Sequence, residues 1–204
     1  MPRVTDEHRQ KQADRIITAA EACFARNGFH ATSMDQIIAE VDMSSSTVYR
    51  YFEGKRQIIQ EVSRRRITPV VDALRDAAAA NTPPSPEAVV GGIVDRLLPD
   101  DAGQRTEGAP PSAVLAVNAW AETARDQSLA DTIRGNLAET HRLATTLVRR
   151  WQEAGQMTTS LSADELAHFL QQSLFGQIAT VTVTGSAAAP SLATALSLLR
   201  PAGT

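Results

Sequence analysis

The chain has 204 residues, 43% hydrophobic and 21% charged, with a formal net charge of -3. Those values exclude wholesale disorder, a collagen-like repeat and a disulfide scaffold, and at roughly 150 residues per domain they allow one domain or a small domain fused to a moderate one. Cys23 is the only cysteine, which rules out an intramolecular disulfide and any multi-cysteine zinc or iron–sulfur site. The charge is uneven: residues 1–68 carry 11 basic against 9 acidic side chains, and residues 69–204 carry 9 against 14. That split fits a polyanion partner for the first part, but so small an excess decides nothing alone.

The start, Met1 to Lys11, is polar where a secretory signal needs an apolar run. The most apolar stretch, Leu166 to Val183, is interrupted by Gln171, Gln172, Ser173 and Gln177 and falls short of the about 20 apolar residues of a membrane span. A cytoplasmic protein without membrane contact is expected.

Helical periodicity runs along almost the whole chain. Ile16, Ile17, Ala20, Cys23 and Phe24 form the stripe of a first helix, which the spacing predicts to end at Asn27-Gly28, where glycine accepts a left-handed backbone. Ser33 with Gln36 reads as a capping box opening a short second helix that carries Ile37, Ile38 and Val41. After Asp42-Met43, the hydroxyls of Ser44, Ser45, Ser46 and Thr47 can cap a third helix whose inward pair is Val48 and Phe52. Glu53-Gly54 breaks it. A longer fourth helix then runs through Ile58, Ile59, Val62, Ile67, Val70, Val71 and Leu74 to the alanines at 77–80, with a kink expected at Pro69. The prolines of Asn81–Pro86 mark a boundary. Further helices are expected at 87–98, 112–125, 127–155, 163–184 and 190–200, with a loop at 99–111. The predicted class is all-α, with 9–69 as one domain and 70–204 as another.

Two short helices around a tight turn at residues 33–52 make a helix-turn-helix arrangement. At about 100° per residue, Val48 and Phe52 face inward, and Ser46, Thr47 and Arg50 lie opposite, flanked by Ser45, Tyr49 and Tyr51. Small hydroxyls, one guanidinium and two phenols, with no carboxylate before Glu53, suit a helix lying in a DNA major groove. Lys55 and Arg56 open the fourth helix where the DNA backbone would pass, and their charges are expected to contact phosphates.

The run Gly28-Phe29, Thr32-Ser33, Ile37-Ile38, then Met43-Ser44-Ser45-Ser46-Thr47-Val48-Tyr49-Arg50-Tyr51-Phe52 and Gly54-Lys55 resembles the tetracycline-repressor (TetR) family of bacterial transcriptional regulators. The resemblance implies that Thr32 or Ser33 and Lys55 hold phosphates, and that Ser45, Ser46, Thr47, Tyr49, Arg50 and Tyr51 face a double-stranded DNA operator; Ser44 is expected at the DNA with them while also capping the helix. The family usually has Ala-Gly at the turn, and this chain has Val41-Asp42. Asp is among the few residues besides glycine that tolerate a positive φ there. Weaker likeness follows at Trp120-Ala121-Glu122, Arg125-Asp126, Leu129, Glu153-Ala154-Gly155 and Gly176, similar to the effector-binding domain of one branch of the family.

Helices at 87–155 are expected to enclose a mostly apolar cavity for a small hydrophobic effector, lined by Leu97, Val114, Leu115, Val117, Asn118, Trp120, Ala121, Leu137, His141, Leu147, Trp151 and Phe169. A homodimer is expected through the helices bearing Leu166, Leu170, Leu174, Gly176, Ile178, Val181, Leu192, Leu196 and Leu199, paired as a four-helix bundle. His141 and His168 stand 27 residues apart with no evident third ligand, so no metal site is expected, nor any cofactor. The chain contains no phosphate-cradling glycine loop, no HExxH and no G-x-S-x-G elbow, so no catalytic residue stands out. The sequence leaves two other classes open: a DNA-binding protein governed by a protein partner instead of an effector, and an all-α carrier or enzyme.

Overall fold

The computed structural model describes residues 6–98, 109–185 and 192–201. Among these, the ordered elements are all helical: α1 (Asp6–Ala31), α2 (Met34–Val41), α3 (Ser45–Tyr51), α4 (Lys55–Ala79), α5 (Pro86–Leu97), α6 (Pro111–Glu122), α7 (Gln127–Glu153), α8 (Ala163–Thr184) and α9 (Leu192–Ala195), followed by a 3-10 turn at Leu196–Leu199. The expected all-α class holds. The loop anticipated at 99–111 lies mostly outside the described residues, and the single terminal helix anticipated at 190–200 is a short α turn running into a 3-10 turn.

The local signals in the first part act as their chemistry dictates. Gly28 adopts φ 76° and ψ 166°, which interrupts α1 and turns its last residues back. Phe29 thereby meets Phe24 edge to face, with centroids 4.7 Å apart. The Ser33 hydroxyl accepts from the Gln36 backbone N–H at 3.2 Å, and the Gln36 side chain accepts from the Ser33 N–H at 2.8 Å, satisfying two free donors at the start of α2. Asp42 ends α2 at φ 54° and ψ 55°, the left-handed conformation that a glycine usually supplies. Ser44 caps α3 by accepting from the Thr47 N–H at 3.2 Å. α4 continues through Pro69 as one element.

Among the described residues two large cores result, joined by α4, with a smaller cluster of Ala113, Ile178 and Val181 between α6 and α8. The first packs Ile16, Ile17, Phe24, Phe29, Ile37, Val48 and Phe52 against Ile58, Ile59 and Val62 from the first half of α4, closed by Leu115 of α6 and Leu129 of α7. The second packs Val70, Leu74 and Ala77 from the other half of α4 against α5, α7, α8 and α9, around the fully buried Leu147, Trp151 and Leu166. α4 is thus shared, and displacing it disturbs both cores. Phe24 and Trp151 alone each bury an aromatic side chain of the size that dominates core energetics.

Candidate functional site

On α3 only Val48 is buried, and the helix rests on that side chain with Phe52 behind it. Ser45, Ser46, Tyr49 and Arg50 are exposed, and Thr47 and Tyr51 are half-buried. Arg50 lies with its guanidinium carbon 5.8 Å from the Tyr51 ring centroid, a cation–π contact that steers it along the outward face. The Ser44 hydroxyl sits 2.7 Å from the Thr47 hydroxyl and 3.1 Å from that of Ser46. Tyr49 and Arg50 therefore project furthest, with small hydroxyls around them that admit a close neighbour.

Four residues expected at phosphates are engaged within the molecule. Thr32 is buried, and its hydroxyl donates to the carbonyls of Gly28 at 2.8 Å and Cys23 at 3.3 Å, so it fastens the end of α1 and offers nothing outward. Ser33 is exposed, and its hydroxyl oxygen accepts in the cap of α2 while its O–H can still donate outward. The Lys55 ammonium donates to the carbonyls of Phe29 at 2.9 Å, His30 at 3.1 Å and Thr32 at 2.8 Å. An ammonium has three donors, and all three are used on the carbonyls that the end of α1 leaves free. Lys55 thereby clamps the start of α4 onto the end of α1, and the expected phosphate contact would draw on the same three donors. Arg56 likewise reaches Asp126, 2.9 Å away at the start of α7.

Behind α4 lies a cavity of about 210 Å³, walled mainly by apolar side chains of α4 to α8 with Phe29 at one end. Leu97, Leu115, Trp120, Leu137, Leu147 and Trp151 line it. Val114, Val117, Asn118, Ala121, His141 and Phe169 do not, and each expectation fails on helix phase. The cavity face of α6 carries Leu115, Ala116, Ala119 and Trp120, so residues 114, 117, 118 and 121 point elsewhere. Val117 packs with Ile178 and Val181 instead, and Ala121 is exposed. His141 is directed to Asp164 in the first turn of α8 instead, and Phe169 is 49% exposed. Trp120 meets Phe175 with ring centroids 4.6 Å apart and planes tilted by 58°, and the Trp151 indole N–H donates to the Pro84 carbonyl at 2.8 Å.

Sequence reasoning missed the contribution of α4 to this cavity: Val62, Ser63, Arg66, Ile67, Val70 and Leu74. Their i, i+4, i+8 spacing was the available signal. Arg66 is the one charged residue among the lining side chains, and it pairs with Glu21 of α1 at 3.2 Å. Gln171 and Thr140 supply polar wall, joined by a 3.0 Å hydrogen bond.

The expected dimer contacts also need correction. Leu166, Leu170, Ile178, Val181, Leu192 and Leu196 are buried inside this chain, and Leu174 and Leu199 pack on the same cores. They are the inward face of α8 and the terminal turns. The outward face carries Phe169, Gln172, Gly176, Ala179, Thr180 and Val183 on one stripe, with Val183 86% exposed and Leu198 of the 3-10 turn 84% exposed. Only Gly176 of the expected set lies on it.

The lone thiol is chemically quiet. Cys23 is buried, and burial followed by the neighbouring Glu40 carboxylate pushes its thiol up, away from the reactive thiolate. Among the described residues no helix is long and apolar enough to cross a membrane.

Residues 16–62 match the family described as bacterial regulatory proteins, tetR family. The helix-turn-helix transcriptional regulator YfiR of Bacillus subtilis, itself uncharacterized, is 28% identical over 128 residues, covering 63% of this chain and 61% of YfiR's own length. The transcriptional regulator UidR of Escherichia coli is 24% identical over 172 residues, 84% of this chain and 82% of UidR. In structure, the complex of SmeT with triclosan superposes with a TM-score of 0.74 at 19% identity, over 93% of this chain and 90% of that one. SmeT represses a multidrug efflux pump of Stenotrophomonas maltophilia. At that identity the likeness concerns the fold.

Proposed function

We propose that this chain is a regulator of the TetR family, whose model matches residues 16–62, and that it is a homodimeric repressor that binds a palindromic operator and is released by a small, mostly hydrophobic effector. Residues 9–69 form the reading domain in this account, and residues 70–204 the effector-binding and dimerising domain. Tyr49, Arg50 and Tyr51 with Ser45, Ser46 and Thr47 meet the DNA, the guanidinium on a base edge and the hydroxyls on the backbone. One short helix reads few base pairs, so two copies on a two-fold axis read the two halves of a palindrome about one helical turn apart.

The observation that carries the proposal is the position of α4. Its first residue clamps α1 through Lys55, and its middle walls the cavity through Val62, Arg66 and Val70. A molecule that prefers one placement of α4 over another shifts the reading helix with it, by no more than its difference in affinity for the two placements. A cavity of about 210 Å³ with so apolar a wall suits a compact hydrophobic compound, as triclosan is for SmeT. It also favours effector release over control by a protein partner alone. The dimer forms over the outward stripe of α8, where Phe169, Gly176, Ala179 and Val183 leave an apolar strip with room for close approach. Cytoplasmic residence follows from the DNA partner.

Sheared genomic DNA retained by the purified protein at physiological salt tests the reading. Enrichment of a few palindromic promoter fragments is the expected result, and hydrophobic compounds that release them are expected to change tryptophan fluorescence through Trp120 and Trp151. Retention with no sequence preference contradicts operator recognition; release with unchanged fluorescence contradicts the cavity as the effector site.

A further inference from the structure

We propose that His141, Asp164 and His168 form a binding site for a divalent transition-metal ion of the zinc class, tying α7 to α8 on the outer side of the cavity wall. The site is separate from the cavity lining and does not depend on the regulatory reading.

The three side chains converge from two elements. Asp164 and His168 stand one turn apart on α8, and His141 faces them from α7. His141 Nε2 lies 2.8 Å from one carboxylate oxygen of Asp164, and His168 Nδ1 lies 3.4 Å from the other. The two imidazole rings are 3.8 Å apart between centroids. One ligand atom from each of the three residues falls within 4.8 Å of the others. A tetrahedral ion with bonds of about 2.0 to 2.1 Å to nitrogen and oxygen sets its ligand atoms roughly 3.3 Å apart. The contacts of 2.8 Å to one carboxylate oxygen and 3.4 Å to the other lie on either side of that spacing, and an ion on His168 Nδ1 would replace its 3.1 Å contact with the Asp164 backbone carbonyl. Without metal, His141 donates its Nε2 hydrogen to the Asp164 carboxylate; an ion takes the place of that hydrogen and opens the contact by about half an ångström.

Donor chemistry selects the ion. Two imidazoles and one carboxylate suit zinc, nickel or cobalt, whereas magnesium and calcium prefer all-oxygen surroundings. The carboxylate and the His168 side chain are 66% and 53% exposed, so the ion enters from solvent and keeps water in its remaining positions. The neighbouring Glu165 is already used by the cap of α8, accepting from the Ser162 N–H at 2.8 Å, and does not compete.

One feature limits the affinity. His141 Nδ1 is buried without a hydrogen-bond partner, and a metal on Nε2 leaves the ring hydrogen on that atom with no acceptor. Losing such an outer partner typically weakens metal binding roughly 10- to 100-fold relative to a fully supported site. Binding would also stiffen the cavity wall, since His141 adjoins Thr140 and His168 lies one turn from Gln171, the two residues joined across α7 and α8.

The test uses the full-length, untagged, metal-free protein titrated with zinc ion in competition with a chromophoric chelator. One zinc per chain is expected. Asp164→Asn and His168→Gln, both at exposed positions, are expected to weaken binding at least about 10-fold, and His30→Gln, at an exposed histidine elsewhere, to leave it unchanged. Zinc is expected to raise the Tm of the wild-type protein and not of Asp164→Asn. Absence of stoichiometric binding at hundreds of micromolar zinc overturns the proposal, as does stoichiometric binding that both α8 variants retain.

Discussion

The two cores of this protein are built on opposite plans. Around α1 to α3, Ile16, Phe24, Ile37 and Val48 are wholly buried against one another, and the exposed residues of α3 are polar or phenolic. Around α5 to α8, the same kind of apolar side chains stop short of filling the space and leave about 210 Å³, while an apolar stripe faces outward on α8. Protein interiors normally close such voids, because every wall lost to vacuum forfeits dispersion contacts. Under the proposed function the contrast is a division of labour. A surface that docks rigidly in a groove needs a solid support, and a receptor needs room that its own side chains decline to take. α4 belongs to both, which makes it the element through which one region can act on the other.

The comparison breaks most sharply at Lys55. If the ammonium is a clamp, Lys55→Met costs roughly 1.5 to 3 kcal/mol of stability, the range for hydrogen bonds to a charged donor, and weakens DNA binding as a consequence. Thermal unfolding without DNA checks this. An unchanged Tm with a shallower salt dependence of DNA binding would instead restore Lys55 to a phosphate.

Overpacking distinguishes the solid core from the hollow one. Ala20 is fully buried among the side chains of the first core, and Ala20→Leu is expected to destabilise by about 1 to 3 kcal/mol. Ala144 lines the cavity, and Ala144→Leu has space to occupy, so its stability is expected to stay unchanged or rise while hydrophobic compounds bind less well. Denaturant midpoints of the two variants make the comparison. Equal losses would mean that the cavity is not open space.

On the reading face, Arg50→Ala is expected to cost about 1 to 3 kcal/mol of operator affinity and to relax sequence preference, with no change in Tm, since its side chain is exposed. Competition between specific and random fragments measures both.

The smallest effect is expected at the terminal turn. Arg200 donates to Glu87 at 2.8 Å and holds that carboxyl below its ordinary range, chiefly through this hydrogen bond. A depressed carboxyl contributes stability that is complete above its unfolded pKa of about 4.3 and is lost as pH falls through its lower folded value. Arg200→Ala should therefore lower stability by less than about 1 kcal/mol at neutral pH, with the deficit vanishing in acid. A deficit that persists at low pH would assign the loss to packing.

What was legible in the sequence was local. The capping box of Ser33 and Gln36, the left-handed turn at Asp42 and the inward pair Val48 and Phe52 each rest on residues within four positions of one another, and each formed as anticipated. The clamp of Lys55 was not legible, because its carbonyl partners lie 23 to 26 residues earlier and belong to the backbone, which carries no sequence signal. α8 misled for another reason. It is apolar on two sides, and choosing its most hydrophobic face for a partner selected Leu166, Leu170 and Ile178, which this chain buries itself. A helix shared between a core and an exposed stripe shows both faces in composition, and only the packing of α6, α7 and α9 against it decides which turns inward. Asp164 between His141 and His168 was hidden in the same way, by a juxtaposition of α7 and α8 that periodicity does not report.

The central claim is that the cavity governs the separation of two reading helices through α4. Pulsed electron spin resonance between labels on Glu53→Cys in a Cys23→Ala background measures that separation across the dimer. With an operator fragment, a single distance distribution is expected, set by reading helices about one DNA turn apart, on the order of 34 Å. A compound that releases the operator is expected to move that distribution. Release of the operator with the distribution unmoved would contradict the account.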